Sequence, residues 1–238
     1  MINSSLYRRF LAALLWAICL FAGARGENVA ASIRTSSGGE KAPALLLANV
    51  WPPAIDPTGW WMSEKCDGGR GFWDGRVLRT RNGNVIHAPP DFLAELPADA
   101  ALDGELWMGR GRFEETTSVV LAAKPEERWT AVRFMVFDAL GVKGVFEERM
   151  KFLSKTIPSD SRLVKVVPQE RCKNPEQLIA ERDRIVSLGG EGLMLRKPDS
   201  EYEAGRSPTL LKVKPHDDAE ATVIAHIPGK GKYEGQVG

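Results

Sequence analysis

Trp60-Trp61-Met62-Ser63-Glu64-Lys65-Cys66-Asp67-Gly68-Gly69-Arg70-Gly71-Phe72-Trp73-Asp74-Gly75-Arg76-Val77-Leu78-Arg79-Thr80-Arg81-Asn82-Gly83 is the stretch on which the fold class turns. Three short apolar or aromatic runs, 60–64, 71–73 and 77–79, have the length and residue types of strands. Asp67-Gly68, Asp74-Gly75 and Asn82-Gly83 stand at the breaks, and such pairs suit the tight turns of antiparallel hairpins. The spacing predicts a meander.

Helical periods appear further along the chain. Phe146, Met150, Leu153 and Ile157 recur at i, i+4, i+7 and i+11, and Leu178, Ile179, Ile185 and Val186 form a second stripe. Asn174-Pro175 reads as the start of that second helix and Gly189 as its end. Strands are expected again at 192–196 and 209–214. Hairpins with a few interspersed helices argue an α+β domain rather than a doubly wound parallel sheet.

The ends of the chain read differently. Arg8 and Arg9 precede an apolar run from Phe10 to Ala22 that closes on Ala22-Gly23-Ala24, the layout of a secretory signal peptide, 1–24. That run has 13 residues, against the roughly 20 that a membrane-crossing helix needs. A polar, Gly- and Ser-containing spacer follows, 25–42, and the folded part is expected to begin near Pro43 and run to 216. After Pro215 a charged connector leads to a strand-like run, Ala221 to Ile227, and to Gly229-Lys230-Gly231-Lys232. A lone strand and turn cannot bury a core, so 217–238 reads as a second domain barely begun.

Composition is that of a soluble globular chain, with 32 Lys and Arg against 31 Asp and Glu. Cleavage after Ala24 would remove two of the arginines and no acid, so bulk charge does not advertise nucleic-acid binding. Export would leave Cys66 and Cys172, for which an oxidising compartment permits a bond. Burial as small hydrophobes is the commoner role for cysteines so far apart. Three scattered histidines, His87, His216 and His226, offer no zinc spacing.

Chemistry concentrates in a few short segments. Lys65 to Arg70 sets an amine, a carboxylate and a guanidinium around a turn. Strand alternation would point Lys65 and Asp67 to one face and Cys66 into the core. Taken alone, a charged surface hairpin is the commoner reading. Leu210-Leu211-Lys212-Val213-Lys214 puts two lysines on one strand face, which suits an anion or simply solvent. Between them lie Leu102-Asp103-Gly104-Glu105-Leu106, Val136-Phe137-Asp138 and Gly189-Gly190-Glu191-Gly192-Leu193. These supply carboxylates beside glycines and an aromatic side chain at a strand end.

In this order the segments resemble the collinear motifs of the covalent nucleotidyltransferases, which comprise ATP- and NAD-dependent polynucleotide ligases and mRNA capping enzymes. The resemblance implies an ATP-grasp-like nucleotidyltransferase domain of antiparallel sheets with flanking helices. It makes Lys65 the nucleophile that takes the adenylyl group, with Arg70 and Arg81 contacting the nucleotide. Glu105 then holds the ribose, Phe137 stacks on the base, and Lys212 and Lys214 meet the α-phosphate. Glu191, with Asp67, would hold Mg2+ or Mn2+, hard ions that prefer oxygen ligands. Neighbouring positive charge from Arg70, Lys212 and Lys214 would favour the neutral, nucleophilic amine of Lys65.

Too few residues precede Lys65 for the nicotinamide-recognising domain of NAD-dependent ligases, so ATP is the expected donor. Capping enzymes work inside cells, where a signal peptide has no purpose. The chain is most similar to the exported, periplasmic minimal ATP-dependent DNA ligases of Gram-negative bacteria. These continue into an oligonucleotide-binding (OB) barrel, so this chain is expected to be truncated there and to seal nicks poorly. Nicked double-stranded DNA is the implied partner, and nothing demands more than a monomer. Arg76, Arg79, Arg110 and Arg112 are candidate backbone contacts, although a solvated surface suits each as well. An RNA ligase and an inactive nucleotide- or nucleic-acid-binding remnant are the alternative readings.

Overall fold

The computed structural model describes residues 42–125, 127–215, 228, 234 and 235. The expected signal peptide, most of the spacer, the run 221–227, His216 and His226 lie outside the described residues. The order of elements is β1 (Leu46–Val50), β2 (Trp61–Glu64), β3 (Gly69–Trp73), β4 (Leu78–Thr80), α1 (Pro90–Ala94), β5 (Ala101–Trp107) and α2 (Phe113–Val120). After a 3-10 turn (Glu127–Ala131) come β6 (Arg133–Leu140), α3 (Phe146–Thr156), β7 (Val164–Val166), β8 (Glu170–Arg171), α4 (Pro175–Ser187), β9 (Leu193–Arg196) and β10 (Gly205–Val213).

These strands form two five-stranded sheets, ordered β1-β10-β9-β2-β8 and β4-β3-β5-β6-β7. The architecture is α+β, as the sequence predicts. Most neighbours are antiparallel, but β1 runs parallel to β10 and β6 parallel to β7, so the sheets are mixed.

The predicted meander is half right. Trp73 pairs with Leu78 across Asp74-Gly75, and Asn82-Gly83 turns the chain so that Arg79 bridges Val85. Asp67-Gly68, however, closes no hairpin: β2 pairs with β8 and β9 in one sheet while β3 pairs with β4 and β5 in the other. The stretch 65–68 is therefore a crossover between sheets. Gly68 makes it possible, because a Cβ there would stand 2.1 Å from the Leu106 carbonyl oxygen.

Each sheet has its own core. Leu102, Leu106, Phe134 and Val136 of the second sheet pack with Phe92 of α1, Val119 of α2 and Leu153 of α3. Met62, Leu195, Leu211 and Val213 of the first sheet pack with Leu178 and Ile185 of α4. Each such fully buried Leu, Val, Ile or Phe side chain contributes about 1.5–3 kcal/mol. The two predicted stripes are thus core faces, with Ile179 and Val186 partly buried at the edge of theirs. α1 and α2 were not evident from periodicity.

Both ends of α4 follow from its sequence. The Asn174 side chain accepts from Gln177 N at 2.8 Å, and Pro175 occupies the first turn, where a missing N–H costs nothing. Gly189, at φ 82°, donates to Val186 O while Gly190 donates to Ile185 O, the paired bonds of a Schellman cap. Among the described residues the two cysteines, Cys66 and Cys172, are free, and Cys66 is only half-buried, not a core residue. His87 is exposed.

Candidate active site

The inner faces of the two sheets enclose a cleft of about 240 Å³. Strand alternation fixes what lines it. On β5, Leu102 and Leu106 point to the core, leaving Asp103 and Glu105 for the cleft; on β10, Leu211 and Val213 are buried and Lys212 lines the cleft. Lys65, Arg70, Arg81, Glu105, Phe137 and Lys212, all singled out in the sequence, line this one cavity. Arg81 is otherwise exposed.

Lys65 follows β2 and is fixed by its backbone N–H, which donates to Gly192 O at 2.9 Å. Its Nζ donates to Glu191 Oε2, and Lys214 Nζ pairs with Glu191 Oε1, so one carboxylate bridges two lysines. The flanking glycines bring Glu191 this close: a Cβ on Gly190 would stand 2.5 Å from Ile185 Cγ2, and one on Gly192 2.3 Å from Val213 O. Burial alone would raise the Glu191 carboxyl, but the two lysines override it and hold it below its ordinary value. Asp67 is raised by burial and then by the Glu191 charge. Glu191, Asp67 and Lys214 do not line the cleft as Lys65 does; Glu191 and Lys214 are linked to it through the ion pair with Lys65.

Arg70 is held from three sides. It forks onto Asp103, Nε to Oδ1 at 2.6 Å and Nη2 to Oδ2 at 2.7 Å, and donates to Leu46 O at 3.0 Å. Its guanidinium carbon lies 4.8 Å from the centre of the Phe137 ring, within cation–π range. Burial would lower its pKa, but the Asp103 carboxylate reverses this and keeps it charged. Beside it, burial pushes the Glu105 carboxyl up to about 7, despite the opposing charges of Arg70 and Lys65. Burial also raises the Cys66 thiol to about 12, which makes it unreactive as a thiolate.

The expected positive field around Lys65 is therefore altered. Arg70 is neutralised by Asp103 and Lys214 by Glu191, and the nearest partner of Lys65 is itself a carboxylate. Of the arginines considered as backbone contacts, Arg110 forks onto Glu64 at 2.7 and 2.9 Å and Arg112 onto Glu115 at 2.8 Å. Arg79 stands 3.6 Å from Asp74.

Several contributors escaped the sequence reading. Asp103 and Asp138 lay inside quoted segments without a role, although Asp103 is two residues from Glu105 and so shares its strand face. Asp138 is buried with Arg149, whose side chain is wholly enclosed, at 2.6 and 3.1 Å. Tyr202 Oη donates to Asp103 Oδ2 at 2.6 Å and accepts from Leu46 N at 3.1 Å. Tyr202 lies 99 residues from Asp103, and no local pattern signals such a bond.

The profile of the ATP dependent DNA ligase domain family matches residues 54–214. The DNA ligase of Haemophilus influenzae is 35% identical over 181 residues, covering 76% of this chain and 67% of that protein. Longer relatives are matched over less of their length: 21% of the DNA ligase of Methanopyrus kandleri, at 32% identity over 45% of this chain, and 28% of a probable DNA ligase of Mycolicibacterium vanbaalenii, at 32% over 61%. Among solved structures, one from a structure–function study of Lig E DNA ligases superposes with a TM-score of 0.74 at 43% identity, covering 82% of this chain and 77% of its own. The Chlorella virus DNA ligase-adenylate superposes with a TM-score of 0.62 at 25% identity, over 77% of this chain and 73% of its own.

Proposed function

This chain belongs to the family of ATP-dependent DNA ligases, and we propose that its cleft binds ATP and transfers the adenylyl group to Lys65 for the sealing of nicks in duplex DNA. The observation that carries the reading is the convergence of Lys65, Arg70, Glu105, Phe137 and Lys212 on one cavity, with Glu191 and Lys214 linked to the amine by ion pairs. Phe137 offers the base an aromatic face, Glu105 and Arg70 offer the sugar an acceptor and donors, and Lys212 with Lys214 offers the phosphates charge.

In the first step the Lys65 amine attacks the α-phosphorus in line. An N–P bond forms as the α–β bridging P–O bond breaks, and pyrophosphate leaves with the electron pair. Before attack Lys65 Nζ has to turn from Glu191 and give up a proton, for which the Glu191 carboxylate it touches is the acceptor at hand. Triphosphate arriving against Lys212 and Lys214 competes for those cations. AMP then passes to the 5′-phosphate at a nick, and the 3′-hydroxyl attacks that phosphate and expels AMP.

Among the described residues no group of three or more His, Cys, Asp or Glu could hold a metal ion. Two carboxylates, Glu191 and Asp67, fit Mg2+ or Mn2+, since magnesium takes one or two protein carboxylates and completes its shell with phosphate and water. When bound there the ion would supply positive charge to the phosphate.

Incubating the purified chain with ATP and Mg2+ and weighing it by mass spectrometry is expected to give a covalent AMP adduct that Lys65→Ala abolishes. An adduct of equal yield on the variant would end the assignment. The amino-terminal pattern further supports export to the periplasm; a periplasmic form that begins at Arg25 is expected from amino-terminal sequencing. We read the chain as a monomer, which sedimentation tests directly.

A further inference from the structure

The buried ends of Arg70, Asp103 and Tyr202 and the backbone of Leu46 form a closed ring of hydrogen bonds. Arg70 Nη2 donates to Leu46 O at 3.0 Å and to Asp103 Oδ2 at 2.7 Å. Tyr202 Oη donates to the same Oδ2 at 2.6 Å, and Leu46 N returns the ring by donating to Tyr202 Oη at 3.1 Å. Leu46 belongs to the first sheet and Arg70 and Asp103 to the second. Tyr202 comes from the strap 197–204 between β9 and β10, so its hydroxyl ties the first sheet to the carboxylate that aims Arg70.

The strap does not need that hydroxyl to stay in place. Ser200 O accepts from Phe146 N at 2.8 Å and from Arg149 Nη1 at 3.1 Å, Arg196 Nη2 donates to Glu201 O at 2.9 Å, and Ser200 Oγ donates to Lys197 O at 2.6 Å. Tyr202 also touches the cleft, which places its ring beside any occupant. Removing the hydroxyl would leave Asp103 Oδ2 bonded to Arg70 alone and Leu46 N without its acceptor. Arg70 would keep its own three bonds, but the carboxylate that two of them rest on would lose a fixed point, so Asp103 and the guanidinium could shift together relative to Phe137.

We propose that Tyr202 is a positioning residue for the nucleotide, acting through Asp103 to hold the Arg70 guanidinium over the Phe137 side of the cleft. The inference rests on the reading of the cleft as the ATP site. Its role is to set affinity rather than the chemical step, because it touches neither Lys65 nor Glu191.

The test compares the full chain with Tyr202→Phe, measuring the Kd for ATP by titration calorimetry without divalent metal, the yield of lysyl-AMP at saturating ATP, and the thermal midpoint. Tyr202→Phe is expected to raise the Kd about fivefold, the net worth of one ordinary hydrogen bond felt through Asp103, with the adduct yield at saturation unchanged. In an Arg70→Lys background the same substitution is expected to change the Kd by less than about twofold, because coupled residues are not additive. An unchanged Kd in Tyr202→Phe, or an equal rise in both backgrounds, would overturn the proposal. So would a lowered midpoint with unchanged Kd, which marks a purely structural tyrosine. A parent chain that binds ATP but forms no adduct would end the ligase reading and leave the Kd comparison decisive for Tyr202, while a parent that binds no ATP overturns both.

Discussion

Glu105 shows how a single residue in the cleft weighs function against stability. Its carboxyl is raised from 4.5 to about 7 by burial, so between those values the folded chain holds a proton that the unfolded chain has released. The unfolded state then binds fewer protons, and stability falls as pH rises through this window. Above about 7 the folded state carries the whole cost of a buried charge, of the order of 3 kcal/mol for a shift of this size. Glu105→Gln is therefore expected to raise the thermal midpoint at pH 8 by several degrees and hardly at all at pH 5, while weakening ATP binding. Equal midpoints for parent and variant at pH 8 would disprove the burial argument. Glu191 stands on the opposite side of the ledger, since Lys214 and Lys65 lower its pKa against the pull of burial. Glu191→Gln removes the shared carboxylate but keeps its shape, so the expected loss of stability is only about 1 kcal/mol. The same change removes a carboxylate proposed for the metal, so the adduct with ATP and Mg2+ is expected to form at least about tenfold more slowly, a lower bound for losing one stabilising group at the transferring phosphate. A variant that forms lysyl-AMP at the parent rate would remove Glu191 from the reaction.

The elements that could be read from the sequence were those with a signal of their own. α4 has a cap, a stripe and a glycine stop within sixteen residues of chain, and each marks a local requirement of the backbone. The strand faces carrying Glu105 and Lys212 follow from alternation alone. α1 and α2, with five and eight residues, are too short to show a period, and Thr116, buried on α2, does not read as apolar. The crossover at 65–68 misled for a different reason: Asp-Gly suits a hairpin, and only the packing of Gly68 onto β5 shows that the chain changes sheets instead. That crossover carries Lys65, so its geometry bears on chemistry. A methyl group on Gly68 would meet the Leu106 carbonyl oxygen, a backbone atom that cannot turn aside. Gly68→Ala is expected to cost about 1–3 kcal/mol, as overpacking does, and to displace Lys65 enough to slow adduct formation. Urea unfolding beside the mass assay measures both, and a variant with parent stability and parent rate would show that the close approach is not needed.

At the scale of the whole molecule, two separate cores are joined through polar groups, and the joints were invisible in the sequence because no local pattern marks partners such as Asp138 and Ser200, which lie 11 and 51 residues from Arg149. The deepest is Arg149 on α3, whose side chain is fully enclosed. It forks onto Asp138 of β6 in the second sheet, and its Nη1 donates to Gly144 O at 2.8 Å and to Ser200 O at 3.1 Å on the strap that leaves β9 of the first sheet. Arg196 of β9 stands 3.7 Å from the same Asp138, and burial lowers its pKa to about 10. Two guanidinium groups thus share one carboxylate, with the Phe146 ring 5.7 Å from Arg149 and 5.4 Å from Arg196. Replacing an entire buried ionic cluster by apolar residues is often neutral, but removing Arg149 alone leaves the Asp138 carboxylate buried with the Ala139 N–H at 2.9 Å and the longer contact to Arg196 at 3.7 Å. Arg149→Met is expected to cost about 3–5 kcal/mol, the penalty for breaking a buried pair. Because the strap also carries Tyr202, the same change should loosen Arg70 and weaken ATP binding from across the cleft. Urea unfolding followed by tryptophan fluorescence and by circular dichroism gives the stability, and calorimetry gives the affinity. A loss below about 1 kcal/mol, the size expected of an exposed pair, would mean that the sheets are held together by their apolar contacts alone.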